Sequence, residues 1–184
     1  MKVELAESAG FCFGVSKAID SVNHLIEEKK GRIYTFGPII HNDYVVKELA
    51  NKGVKAVSYE EIDKIEPGIM VIRSHGVAEE IYTRLRELGF EIVDATCPFV
   101  KRIHKIVREK SLEGKNILIF GNRSHPEVEG IVGWCKTIPI VVETEEELYN
   151  LKLDKETETL VVAQTTFNFN KFNKFNYVKT KKKS

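Results

Sequence analysis

The sequence predicts an α/β fold made of repeated strand-loop-helix lobes with mostly parallel sheets. Two observations carry this expectation. Apolar runs of a few residues alternate with stretches of helical periodicity across short loops, and parallel strands are what such crossover connections require. The same unit, an apolar strand, a polar loop and an amphipathic helix, then recurs along the chain.

Val3 and Leu5 read as a short strand leading into Ala9-Gly10-Phe11-Cys12-Phe13-Gly14-Val15. Val15, Ala18, Ile19, Val22, Leu25 and Ile26 recur at helical spacing until Gly31 stops the helix. Ile33 to Phe36 is a buried-type strand, and the loop Gly37-Pro38-Ile39-Ile40-His41-Asn42 follows it. Asn42 or Asp43 can cap a helix through Val45, Val46, Leu49 and Ala50 that ends at Gly53, before a strand at Val54 to Val57.

In the next copy, Ile69 to Ile72 is the strand, Arg73-Ser74-His75-Gly76 the loop, and Ala78 to Leu88 a helix stopped by Gly89. Glu91 to Val93 leads into Asp94-Ala95-Thr96-Cys97-Pro98, and a helix runs through Val100, Ile103, Ile106, Val107 and Leu112. The third copy is a strand at Asn116 to Phe120, a loop from Gly121 to Glu127 and a helix from Val128 to Cys135. Ile138 to Val142 and Leu160 to Ala163 complete the strands. This pattern divides the chain into a first lobe at 1–96, a second, incomplete lobe at 97–167, and a low-complexity tail at 168–184 expected to be disordered. Phe167 to Tyr177 uses only Phe, Asn, Lys and Tyr, all with A/T-rich codons, so a frameshifted or artificially ended reading frame is expected there.

A chain of 184 residues with 42% hydrophobic and 30% charged residues is long enough for one sizeable core or two small ones. No apolar run approaches the roughly 20 residues of a membrane span, and Met1-Lys2-Val3-Glu4 lacks the apolar stretch of a signal peptide. A cytoplasmic location is the expectation. Three widely spaced cysteines argue against a disulfide framework and agree with a reducing compartment. The net charge of +1 hides an asymmetry, because the first 167 residues carry 22 basic against 27 acidic side chains. That balance argues against a nucleic-acid partner.

Cys12 and Cys97 occupy equivalent turns where a helix begins. Helix N-termini favour the thiolate and so suit a metal ligand, although buried structural cysteines fit the bare spacing as well. His41, His75 and His125 sit in repeated strand-to-helix loops beside small or polar residues, a setting suited to a phosphate or diphosphate. A zinc site made of the three is the competing chemistry. Glu127, at the first turn of a helix beside His125, is either a dipole-compensating acid or a proton relay. Thr165 and Thr166 offer hydroxyls at a strand end. Cys135, late in a short helix, reads as core packing, and His24 and His104 are given no role.

The motifs Ala9 to Val15, Gly37 to Asn42, Arg73 to Gly76, Asp94 to Pro98, His125-Pro126-Glu127-Val128-Glu129-Gly130 and Gln164-Thr165-Thr166 together resemble the 4-hydroxy-3-methylbut-2-enyl diphosphate reductase family, also called LytB or IspH. The resemblance covers nearly all of residues 1–167. It implies three α/β lobes around a 4Fe-4S cluster, about two of them present here. Cys12 and Cys97 then match two cluster ligands, and His41, His75 and His125 match the diphosphate-binding histidines. Glu127 matches the proton-delivering carboxylate, and Thr165, with Thr166 kept open, matches the threonine near the substrate. The implied reaction removes the allylic hydroxyl of the diphosphate to give isopentenyl and dimethylallyl diphosphate, with electrons from a ferredoxin or flavodoxin. The third cysteine ligand belongs to a lobe not found in the sequence, so this chain by itself is expected to assemble no stable catalytic cluster. The rival readings are a diphosphate- or nucleotide-binding module with buried cysteines and a zinc-dependent hydrolase.

Overall fold

Strand β1 (Ile33–Phe36) is buried along its whole length, and the first sheet is assembled around it. In the computed structural model, which describes residues 3–4, 10–28, 30–153 and 156–173, β1 pairs in parallel with β2 (Lys55–Val57) on one side and with β3 (Ile69–Ile72) on the other. β4 (Glu91–Asp94) pairs with β3, giving the order β2-β1-β3-β4. β3 is also buried throughout, as the inner strands of a parallel sheet must be when helices cover both faces. α1 (Phe13–Glu27) turns Ala18, Val22 and Leu25 onto this sheet against Ile33, Ile69 and Val71. α2 (Asp43–Asn51) adds Leu49, and its first turn is capped by Asn42, whose Oδ1 accepts from the Val45 N–H at 3.1 Å.

The second sheet is centred on β5 (Asn116–Phe120), in which Ile117, Leu118, Ile119 and Phe120 are at most 1% exposed. β6 (Ile140–Val142) and β7 (Thr159–Ala163) flank it, both parallel to it. Alternation along a strand sends successive side chains to opposite faces, so β5 builds two cores. Ile117 and Ile119 pack with Val107 of α4 (Pro98–Leu112) and with Val128 and Ile131 of α5 (Pro126–Trp134). Leu118 and Phe120 pack with Val142 and with Leu148 of α6 (Glu145–Asn150).

The contacts divide the chain into two units, one drawn from Met1–Ser74 with Arg84–Cys97 and one from His75–Thr83 with Pro98–Ser184. The sequence division placed 75–83 in the first lobe. These residues group with the second unit because Glu79, at the start of α3 (Glu79–Glu87), pairs with Arg108 and Lys136, and because the Trp134 indole donates to the Val77 carbonyl at 2.9 Å. Four further departures are local. Val3 and Glu4 are irregular and Val3 is exposed, while Leu5, the other half of the expected strand, lies outside the described residues. A 3₁₀ turn at Ile62–Lys64 and helix α6 were not read from the sequence. Residues 169–173 are helical, with the Phe172 ring edge-on to Phe120 at 5.9 Å, where a structureless tail was expected; 174–184 lie outside the described residues.

Because Leu118 is fully buried between β6 and β7, Leu118→Ala is expected to cost about 2–5 kcal/mol, read as a lowered midpoint of urea unfolding.

Candidate functional site

In a parallel sheet, ligand sites form outside the carboxyl ends of strands where the strand order reverses. The first sheet reverses between β1 and β3, and the second between β5 and β7. His41 follows β1, His75 β3, Cys97 β4, His125 and Glu127 β5, and Thr165 and Thr166 β7, while Cys12 precedes α1, and each unit carries its own set.

In the first unit, Gly37 ends β1 with a left-handed φ of +68°, and a Cβ there would lie 2.8 Å from Nη1 of Arg73 at the end of β3. Glycine meets both demands at once. His41 is exposed in the loop leading to α2. Cys12 is the exposed N-cap residue of α1. Cys97 is half-buried after β4, its N–H donating to the Ser74 carbonyl at 2.9 Å and the preceding turn closed by the Thr96 N–H on Asp94 Oδ1 at 3.0 Å. The two cysteine turns adjoin. A Cβ built on Gly14, two residues after Cys12, would sit 2.8 Å from Cys97 Sγ and 3.1 Å from its Cβ. Both thiols are free.

Two soft sulfur donors in adjoining turns, each immediately before a helix, fit part of the ligand set of an iron–sulfur centre. Cys135 does not fit it. Its sulfur donates to the Ile131 carbonyl at 3.4 Å within the second unit's core, and burial pushes the thiol up to about 11.

In the second unit, His125 caps α5, its Nδ1 accepting from the Glu127 N–H at 3.1 Å. An accepting Nδ1 carries no proton, so the proton of the neutral ring sits on Nε2 and can be donated. Pro126 takes the first helical position, where an N–H would have no partner. The Glu127 carboxylate is only 1% exposed, and both its oxygens are engaged: Oε1 accepts from the Thr165 N–H at 2.7 Å and Oε2 from the Thr165 hydroxyl at 2.8 Å. The Thr166 hydroxyl accepts instead from Gln164 Nε2 at 2.9 Å. The ring of His75 stands edge-on to that of His125, with centroids 5.5 Å apart and planes at 83°. His75, His125, Glu127 and Thr165 are thus linked in this unit, with Thr166 in the same turn, while Cys12, Cys97 and His41 belong to the first.

Two supporting residues escaped the reading of single positions. Gln164 joins the ends of β5 and β7, accepting from the Asn122 N–H at 3.2 Å while donating to Thr166. Arg123 grips both oxygens of Glu147 at 2.9 and 3.0 Å and the Val141 carbonyl at 2.6 Å, which anchors the loop before His125. The i, i+4 acids Glu143 and Glu147 were its only trace in the sequence.

Residues 3–183 match the family model described as LytB protein. A 4-hydroxy-3-methylbut-2-enyl diphosphate reductase of Thermoanaerobacter sp. (strain X514) is 47% identical over 169 residues, covering 90% of this chain and 58% of the relative. One from Clostridioides difficile (strain 630) is 43% identical over 169 residues, covering 91% and 60%. Among solved structures, the E-1-hydroxy-2-methyl-but-2-enyl-4-diphosphate reductase from Plasmodium falciparum superposes with a TM-score of 0.85 at 29% identity, covering 93% of this chain and 54% of that one. A second, a (E)-4-hydroxy-3-methyl-but-2-enyl diphosphate reductase described as the terminal enzyme of the non-mevalonate pathway, gives 0.79 at 39% identity, covering 94% and 61%. The chain therefore spans about 58% of the length of the first of these relatives.

The contrast among the thiols is open to measurement. With iodoacetamide at a pH of about 8, exposed Cys12 is expected to alkylate well ahead of Cys135, whose thiol is protonated there and packed in a core, as read by peptide mass spectrometry.

Proposed function

The chain belongs to the LytB family, and from that premise we propose that it is the diphosphate-binding and proton-delivering part of an iron–sulfur reductase acting on 4-hydroxy-3-methylbut-2-enyl diphosphate. The observation that carries this reading is the buried Glu127 carboxylate, held at both oxygens by Thr165 and joined through its own N–H to His125.

Removing an allylic hydroxyl as water and leaving a C–H bond consumes two electrons and two protons. When bound, a 4Fe-4S cluster supplies the electrons and a Lewis-acidic iron for the hydroxyl oxygen. Cys12 and Cys97 are the residues of this chain that would hold it. The diphosphate is bound by His41, His75 and His125, with His125 offering its Nε2–H and the first turn of α5 adding the positive end of a helix. Glu127 is the proton source. The Thr165 hydroxyl donates to Glu127 Oε2 when that group is a carboxylate and accepts from it when Glu127 is protonated, so as Thr165 gives its own proton to the departing hydroxyl it takes one from Glu127, leaving water and the Glu127 carboxylate. Thr166 stays beside this relay as a second hydroxyl. The products are isopentenyl and dimethylallyl diphosphate, the electron donor is a ferredoxin or flavodoxin, and the setting is the cytoplasm.

Only two of the chain's three cysteines lie where they can serve as ligands, so stable assembly of the cluster calls for a further thiolate. Anaerobic reconstitution of this chain with iron and sulfide is expected to give fewer than four irons per chain and no turnover of the allylic diphosphate; four irons with turnover would overturn the requirement.

The binding half is tested without metal. Titrated with inorganic pyrophosphate in a calorimeter, His125→Ala is expected to lose about tenfold in affinity, the scale of one strong hydrogen bond to an anion. Glu127→Gln, which keeps an acceptor for the Thr165 N–H, is expected to stay within about twofold of the parent chain. Pyrophosphate binding that ignores His125→Ala would remove the diphosphate reading.

A further inference from the structure

His75 follows β3, a strand of the first sheet, yet its segment His75–Thr83 belongs to the second unit. What holds the segment there is the last part of α5. A Cβ on Gly133 would lie 2.2 Å from Ala78 Cβ, so the helix backbone seats directly on Ala78 only because position 133 has no side chain. One turn earlier, Gly130 has Val77 N at 3.6 Å from its Cβ position. The indole of Trp134, the chain's single tryptophan, fills the neighbouring space. It stacks on His104 with centroids 5.3 Å apart and planes at 19°, meets the Tyr82 ring edge at 5.9 Å, and donates its Nε1–H to the carbonyl of Val77 at 2.9 Å. Val77 is 3% exposed and lies two residues from His75.

We propose that Trp134 is a positioning residue for His75, acting through the Val77 carbonyl to fix the separation of the His75 and His125 rings. Both histidines are referred to one rigid element. His125 is the N-cap of α5 and Trp134 its last residue, so a nine-residue helix measures out the pair from its two ends. At about 1.5 Å per residue the helix is roughly 13 Å long, a span along which the backbone ladder leaves little freedom. Glu79, tied to Arg108 and Lys136, holds the far end of the segment, and the Val77 carbonyl is an attachment between it and the histidine, whose other side is tied by the Ser74 carbonyl accepting from the Cys97 N–H at 2.9 Å. The functional weight of this arrangement rests on the reading that His75 and His125 bind a diphosphate, whereas the geometric claim does not.

The test is Trp134→Phe, which keeps an aromatic ring and removes the N–H, examined in the full chain with isotope-labelled histidine. The expected result is a shift of the His75 imidazole resonances and loss of the cross-ring nuclear Overhauser effect to His125. The Glu127 amide, which reports the His125 cap, should stay in place, and affinity for inorganic pyrophosphate should fall about tenfold, as for a lost hydrogen bond. A second variant, in which the indole is replaced by the benzothienyl isostere, removes the N–H while keeping the shape, and decides the matter if the phenylalanine variant does not fold. Unchanged His75 resonances and a retained cross-ring effect in either folded variant would overturn the proposal. If the parent chain binds no pyrophosphate, the diphosphate reading falls, and the resonance data still decide whether Trp134 sets His75.

Discussion

A parallel strand cannot turn straight back on itself, so each strand of both sheets must hand its chain to a helix or a long connection before the next begins. This constraint collects the strand-to-helix loops at the carboxyl edge of each sheet and aims helix N-termini at that edge. The order β2-β1-β3-β4 separates the connections on either side of β1 and β3, and β6-β5-β7 does the same beside β5 and β7. His41 and the Gly37–Arg73 approach follow from the first arrangement, and the His125–Glu127–Thr165 bonds from the second. The chemistry-bearing groups are spread along the sequence, but each unit's sheet brings its own share together.

Within the second unit the demanding element is a carboxylate with almost no access to water. Burying such a group unaccompanied would cost several kcal/mol. Here a backbone N–H and a hydroxyl from one residue, Thr165, satisfy both oxygens at 2.7 and 2.8 Å, and Gln164 locks the turn that presents them. The surrounding ion pairs have another character. Arg123 with Glu143 and Glu147 is largely exposed and serves to hold a loop, with each exposed pair worth about 1 kcal/mol or less.

Much of the fold was legible because its inner strands are short, mainly apolar runs. Ile33 to Phe36, Ile69 to Ile72 and Asn116 to Phe120 have the bounds the sequence suggested, since strands buried on both faces are mainly apolar, with Thr35 a buried polar exception in β1. Helix α6 was not legible: it is six residues long, opens on Glu145, Glu146 and Glu147, and buries Leu148 alone, too little for a helical period to show. The start of the tail was misjudged for the opposite reason, because Phe172 stands in a repetitive stretch and its packing on Phe120 depends on a partner 52 positions away. Candidate site residues could be named from residue type and loop position, but not their connections. Thr165 and Thr166 are chemically identical neighbours that only their hydrogen bonds distinguish. The meeting of Gly14 with Cys97 left no periodic mark in the chain, and the grouping of 75–83 with the second unit turns on contacts from Trp134 and Lys136 that spacing cannot encode.

The capping bond at His125 has a consequence for how an anion would be felt. A ring whose Nδ1 accepts from the Glu127 amide leaves Nε2 as the nitrogen that carries the donor proton. Attraction to that N–H and to the end of the helix falls off within about one turn, so an anion is gripped where it meets the cap directly and is drawn in little from a distance.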